Sequence, residues 1–258
     1  MSAARKTRRE RVSWGVSDVG RKRKTNEDAL FVDDDLGLYM VADGMGGHAA
    51  GEIASREATS TIYGMIKQAL RDFGELRGPL SEARSRAACQ LMESAIQAAT
   101  SIIYSMAELD RQKAGMGTTI SALLLLGDYG IIGHVGDSRI YRVVGESFEQ
   151  MTEDHSLIAW QLKQGLISEE EAMVSPYRNV ITRAVGNRDH VEVDTTVFPV
   201  EKNARFLLCS DGLHGYLRSG DIVPTVKIGG ETAVRQFVDL ANQRGGKDNI
   251  TVILVELN

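Results

Sequence analysis

The chain has 258 residues, 43% of them hydrophobic and 25% charged, with a formal net charge of −5. That balance belongs to a globular protein with a sizeable core, and the negative charge argues against wholesale nucleic-acid binding. The longest apolar run, Ile120 to Leu126, is too short to cross a bilayer and the N-terminus has no apolar signal region, so a cytoplasmic protein without a membrane segment is expected.

Arg5, Lys6, Arg8, Arg9 and Arg11 make residues 1–11 a basic tail. It reads as solvated, with docking of an acidic partner as the alternative. Residues 12–258 read as one domain. Val12 to Ser17, Ala29 to Val32 and Gly37 to Ala42 read as strands, with Asp33-Asp34-Asp35 as a hairpin tip. Ala50 to Leu70 has helical character, and Phe73 to Leu80 reads as a loop. Ser81 to Met106 reads as a long helix whose buried stripe is Ala87, Leu91, Ala95, Ala98, Ile102 and Met106, at steps of three and four. Thr118 to Leu126 and Tyr129 to Val135, joined by Gly127-Asp128, carry a hairpin signal. Arg139 to Val143 is a further strand. Met151 to Gly186 interrupts the strand series as an inserted lobe with short helices at Ser156 to Gln164 and Ser168 to Met173; Ser168 and Glu171 have capping-box spacing. Val191 to Phe198 and Arg205 to Cys209 are strands. A helix around Val234, Phe237, Val238 and Ala241 stops at Gly245-Gly246, and Ile250 to Leu257 is the closing strand. Cys89 and Cys209 fit no metal-ligand spacing, and Cys209 is expected as a buried, reduced thiol.

Tight turns between successive strands imply antiparallel pairing. Thr118 to Leu126 and Ile250 to Leu257 are nevertheless apolar on both faces, so both faces are buried. Two antiparallel sheets face to face with helices outside, an α+β architecture, satisfy both conditions.

Four short motifs put carboxylates at the edges of apolar strands: Asn26-Glu27-Asp28, Asp43-Gly44-Met45-Gly46-Gly47, Ser210-Asp211-Gly212 and Lys247-Asp248-Asn249. Brought together, they supply oxygen ligands only, and no His or Cys pair stands at ligand spacing. The chemistry suits Mg²⁺ or Mn²⁺ over Zn²⁺. The glycines let backbone carbonyls approach an ion. Two such cations, about 4 Å apart, lower the pKa of a bridging water and clamp a phosphoryl oxygen. Arg23, four residues before Glu27, reads either as an exposed basic turn or as a guanidinium for a phosphate dianion.

The motifs in order are Gly20-x-x-Arg23-x-x-Asn26-Glu27-Asp28, Val41 to His48, Gly117-Thr118-Thr119, Gly136-Asp137-Ser138-Arg139, Thr152 to Leu157, Asn179 to Ala184, Ser210 to Leu213 and Asp248-Asn249. Together they resemble the metal-dependent protein phosphatases of type 2C in their compact bacterial form, from about Val12 to Leu257. Eight motifs in sequence make the resemblance specific. It implies a four-layer α-β-β-α sandwich that hydrolyses phosphoserine and phosphothreonine on proteins. It implies that Asp43 bridges two Mn²⁺ or Mg²⁺ ions, that the Gly44 carbonyl binds one of them, and that Asp211 and Asp248 bind the other. Glu27 reaches the ions mainly through water, Asp28 orients nearby water, and Arg23 holds the phosphate. The lobe at 151–186 corresponds to the family's mobile flap.

Two positions depart from the family pattern. Met45 stands where many eukaryotic members have a His proposed as general acid, so the leaving group must be protonated by water or another residue. Gly215 stands where an acidic or amide ligand is frequent, so two tight ions are expected, with a third near Asp137 absent or bound only at high metal concentration. His134 and His155 read as structural; His48 and His214 are near enough in sequence to relay protons. Phosphoproteins, with an antagonist Ser/Thr kinase and its targets among them, are the implied partners of a monomer. Two rival readings are a catalytically dead binding module and a partner-switching regulator phosphatase. Retention of Glu27, Asp43, Asp211 and Asp248 argues against the first, and the lack of spare length for a sensory module against the second.

Overall fold

The computed structural model describes residues 11–46, 50–72, 76 and 79–257. The basic tail before Arg11, and His48, lie outside the described residues. Among the described residues, one sheet takes β1 (Arg11–Asp18), β11 (Ile250–Leu257), β10 (Arg205–Cys209), β7 (Arg139–Val144) and β8 (Ser147–Gln150) in that order. The other takes β2 (Asp28–Asp33), β3 (Leu38–Met45), β5 (Ile120–Leu126), β6 (Tyr129–Val135) and β9 (Asp194–Pro199), with the short β4 (Gly117–Thr118) on the end of β3. Every pairing is antiparallel.

Strand alternation divides the core into three layers. From β3, Tyr39 and Val41 join Leu123, Ile132, Phe206, Ile253 and Val255 between the sheets. Leu38, Met40 and Ala42 face the opposite way, onto α1 (Ala50–Asp72) and α2 (Glu82–Leu109). From β11, Val252 and Leu254 pack under α6 (Ser219–Ile228) and α7 (Gly230–Gln243). These three apolar layers are the interfaces of a four-layer α-β-β-α sandwich. They explain why β5 and β11 are apolar on both faces: one face meets the other sheet and one meets helices.

The hairpin closes as expected, with Leu126 opposite Tyr129 across Gly127-Asp128. The long helix starts where its sequence says, with Ser81 accepting a hydrogen bond from the Arg84 amide. Its buried face is shifted by one residue from the expected stripe, however. Ala88, Met92, Ala95, Ile96, Ala99 and Ile103 are buried, whereas Ala87 and Ile102 are exposed. Two adjacent apolar stripes run along this helix, and periodicity cannot choose between them. Strand β9 begins at Asp194 rather than Val191 because Gln97 of α2 takes the Val191 amide (3.2 Å) and donates to the Asp189 carbonyl (2.9 Å). Strand β8, the four-residue α5 (Asp211–His214) and α6 were not anticipated. Gly220 and Pro224 read as breakers, but burial of Ile222, Val223 and Val226 holds α6 together.

Between β8 and β9 the chain carries α3 (Leu157–Lys163) and α4 (Glu169–Val174), each capped by the expected serine, Ser156 or Ser168. Arg139 grips Asp154 with both nitrogens of its fork (2.6–3.1 Å), which ties this segment to β7. No helix among the described residues is long and apolar enough to cross a membrane. Neither cysteine is in a disulfide; Cys209 is buried, and burial pushes its thiol up to about 12.

Candidate metal centre

The sheets bring their carboxylates together at one end. Asp43, near the end of β3, lies directly opposite Asp28 at the start of β2. The Asp43 backbone is held twice over: its N–H donates to the Thr119 hydroxyl (2.9 Å), and its carbonyl accepts from the Thr119 amide (2.9 Å). Asp28 reaches across to the other sheet, where its Oδ2 accepts from Ser210 (2.8 Å) and Thr251 (2.6 Å). The two sheets are thus pinned to each other beneath the site. Asp211 follows β10 as the first residue of α5, and Asp248 lies between α7 and β11.

A cavity of about 300 Å³ opens above these residues, lined by Arg23, Glu27, Asp43, Gly44, Asp137, Asp211 and Asp248 among others. Of the eight residues singled out from the sequence, Asp28 alone is not in the wall; it lies under Asp43. Gly44 cannot carry a side chain, because a Cβ there would collide with the Gly51 and Glu27 carbonyl oxygens. The first turn of α1 and the loop before β2 close on that glycine. Arg23 donates to Asp248 (2.8 Å) and is about half exposed, its side chain at 49%.

Six carboxylates, Glu27, Asp28, Asp43, Asp137, Asp211 and Asp248, face one guanidinium, Arg23. Burial, reinforced by Asp28 and Asp211, raises Asp43 well above the ordinary carboxylate range. Burial pushes Asp28 up to about 7 against the pull of its two hydroxyl donors. It also pushes Asp137 up to about 7, with Asp211 adding to the effect. Glu27 and Asp211 are raised as well, burial first and Asp248 contributing to both. Such a set stays ionised only if cations join it.

Asp28 Oδ1 and Asp211 Oδ1 are buried and lack a hydrogen-bond partner. Buried carboxylate oxygens without donors are costly unless a cation takes the lone pairs. The donor set is all oxygen and fits Mg²⁺ or Mn²⁺. Among the described residues no three His, Cys, Asp or Glu side chains form a ready-made coordination cluster.

The histidines near the site are structural. His214 Nε2 donates to the Asp137 carbonyl (2.9 Å), and burial, with Arg139, depresses its pKa to about 3. A neutral ring committed to a backbone oxygen is no proton relay, which corrects the expectation for His214. It fixes α5 to the turn that carries Asp137. His155 Nδ1 accepts from the Gly136 amide (3.1 Å), and His134 Nε2 donates to the Glu153 carbonyl (3.1 Å).

Sequence reasoning assigned no role to the residues that hold the ligands. Asn249 is the main one. Its Nδ2 donates to the Val19 (3.0 Å) and Thr25 (2.9 Å) carbonyls, and its Oδ1 accepts the Glu27 amide (2.9 Å). Its place beside Asp248 was the available signal. Thr119, Ser210 and Thr251 act in the same way on Asp43 and Asp28. Asn179 and Ile181, from the segment between β8 and β9, complete the cavity wall with Met45. A larger cavity of about 800 Å³ beside α2, lined by Ala69, Leu76, Arg84 and Leu91, gathers no such ligand set.

The sequence profile of the family described as protein phosphatase 2C matches residues 20–251. The serine/threonine phosphatase stp of Listeria welshimeri is 38% identical over 249 residues, which is 94% of either chain. The serine/threonine phosphatase PstP/Ppp of Mycobacterium tuberculosis superposes with a TM-score of 0.85 at 31% identity, over 96% of this chain and 99% of that one. A structure of the PstP catalytic domain in complex with two manganese ions gives 0.82 at 29% identity, over 96% and 98%.

Proposed function

The chain belongs to the protein phosphatase 2C family, and from that premise we infer that the cavity at the sheet ends is where it acts. The protein is an Mn²⁺- or Mg²⁺-dependent serine/threonine phosphatase, and its substrates are phosphoproteins. We assign Asp43, the Gly44 carbonyl, Asp211 and Asp248 as direct ligands of two ions, with Glu27 contributing through water. When bound, the ions supply the positive charge that acidifies a water and clamps a phosphoryl oxygen. The observation that carries this assignment is the convergence of Glu27, Asp43, Gly44, Asp211 and Asp248 on one cavity, with Asp211 Oδ1 buried and partnerless there.

Arg23 binds the phosphate. It is half exposed and already anchored at one end by Asp248, so it can present its free nitrogens to a dianion. Asp28 is clamped through Oδ2 by Ser210 and Thr251, which leaves its Oδ1 without a protein donor, and we assign it to orient water beside the ions. Met45 cannot donate a proton and His214 is committed to the Asp137 carbonyl, so the leaving serine or threonine oxygen takes its proton from water or from another residue. Asp137 marks a weak third site that lacks a side-chain ligand at Gly215. The lobe at 151–186 acts as a flap, placing Asn179 and Ile181 on the cavity wall. The setting we propose is a cytoplasmic monomer that opposes a Ser/Thr kinase.

The test is metal titration with a phosphothreonine peptide. Chelation should abolish hydrolysis and Mn²⁺ restore it, while calorimetry should count two tight ions and a third only at high concentration. Full turnover in excess chelator would sink the metal assignment, and three tight sites would sink the reading of Gly215. Replacing Arg23 with Ala should lower kcat/KM by roughly 10- to 100-fold, mainly through KM, since a hydrogen bond to a charged group is lost. Kinetics equal to wild type would return Arg23 to the exposed-turn reading.

A further inference from the structure

Beside the cavity the chain makes a short excursion between Val19 and Thr25. Asn249 donates to the carbonyls of both residues, so one buried amide pins the two ends. Gly20 has φ +77°, and a Cβ there would collide with the Asp248 carbonyl oxygen. The Arg21 amide donates to the Gly246 carbonyl (2.8 Å). The excursion is therefore pressed against the loop that carries Lys247 and Asp248. Its tip is Arg21-Lys22-Arg23-Lys24, all exposed, and Lys247 next to it is exposed too.

Arg23 faces inward to Asp248 and lines the cavity. Among the described residues, Arg21, Lys22, Lys24 and Lys247 form no ion pair with a carboxylate. Four cations without a carboxylate partner therefore stand together on one rim of a protein of net charge −5. Holding like charges together on a pinned turn gains the fold nothing.

We propose that this rim is a specificity surface for phosphoprotein segments that carry further negative charge, as acidic side chains or a second phosphate, next to the residue being hydrolysed. The proposal rests on the reading of the cavity as the phosphatase site. Two arguments select this occupant. Lys22 and Lys24 flank Arg23, and neighbouring Cα atoms are about 3.8 Å apart, so residues adjoining a phosphate on Arg23 come within reach of lysine side chains. The rim's positive charge beside the cavity mouth complements a segment with further negative charge and raises its encounter rate.

The experiment uses two phosphothreonine peptides of one sequence, flanked on both sides by glutamates or by glutamines, with p-nitrophenyl phosphate as a probe without flanks. Wild type in Mn²⁺ should favour the acidic peptide by roughly tenfold in kcat/KM at low salt, and lose the preference at high salt. The triple variant K22S/K24S/K247S should hydrolyse both peptides alike, with p-nitrophenyl phosphate turnover unchanged. The charge-keeping variant K22R/K24R/K247R should retain the preference. Equal hydrolysis of the two peptides by wild type, or a preference that survives the serine variant, would overturn the rim's role alone. Equal hydrolysis accompanied by rim-dependent retention on phosphatidylserine vesicles would assign the rim to a membrane surface and overturn it as well. No hydrolysis of either peptide or of p-nitrophenyl phosphate would sink the phosphatase reading of the cavity, and the proposal with it.

Discussion

Replacing Asp43 with Asn is expected to lower turnover of a phosphothreonine peptide by at least about 100-fold while leaving the metal-free protein folded. Changes behind a metal ligand already cost 10- to 100-fold, and Asp43 is assigned as a ligand itself. Its backbone is fixed by Thr119 through main-chain bonds that Asn leaves in place. Its carboxylate is buried among Asp28, Asp211 and Asp137, which repel it. Asn removes that repulsion, so the melting temperature in chelator should hold or rise. Asp211→Asn should lose activity for the same reason, because it takes a negative charge from a buried position whose Oδ1 has no other partner. Peptide kinetics, Mn²⁺ calorimetry and a thermal melt on each variant check this. Near-normal turnover would remove Asp43 from the metal centre. A collapsed melt would assign the loss to folding.

The metal acids were legible because each lies at the end of an apolar strand, where a core has no use for charge. The layer order was legible from β5 and β11, since only burial on both sides explains their composition. What escaped is what depends on chain segments far apart in sequence. Nothing local says that Asn249 closes a turn about 230 residues earlier (to Val19), or that Thr251 and Ser210 grip Asp28. The buried stripe of α2 escaped for a different reason. Ala87 and Ala88, Leu91 and Met92, Ile102 and Ile103 are alternatives of nearly equal hydrophobicity, and only the position of the sheet selects between them. Helix α6 escaped because tertiary burial overrode two residues that break helices locally.

Without metal the protein should lose stability as pH rises from 6.5 to 8.5, and Mn²⁺ should cancel the loss. Asp28 and Asp137 are pushed up to about 7, and Asp43, Asp211 and Glu27 are raised as well. A carboxyl whose folded pKa lies above its unfolded value stabilises the fold at low pH. That contribution disappears as pH rises through the folded pKa. In the unfolded chain these groups are fully ionised above about pH 6, so the folded state must release protons that the unfolded state has already lost. His134, depressed to about 4, and His214, depressed to about 3, act in the opposite sense. Their neutral forms favour the fold above their unfolded pKa near 6.5, and that contribution fades below it. The two effects oppose each other under acid conditions. At pH 6.5 the unfolded histidines are still about half protonated, so they offset part of the carboxyl slope; from about pH 7.5 they are neutral in both states and the carboxyls alone set it. Each carboxyl still protonated in the fold then costs about 1.4 kcal/mol per pH unit. Bound cations replace those protons, so the slope vanishes in Mn²⁺. Melting temperatures in chelator and in Mn²⁺ at pH 6.5, 7.5 and 8.5 measure the difference. A flat or rising profile in chelator would mean that the carboxylates are ionised in the empty site, and would remove the electrostatic argument that cations hold them together. Asp28→Asn should flatten the chelator profile in part, because it deletes one titrating group whose Oδ2 hydrogen bonds an amide oxygen can still accept.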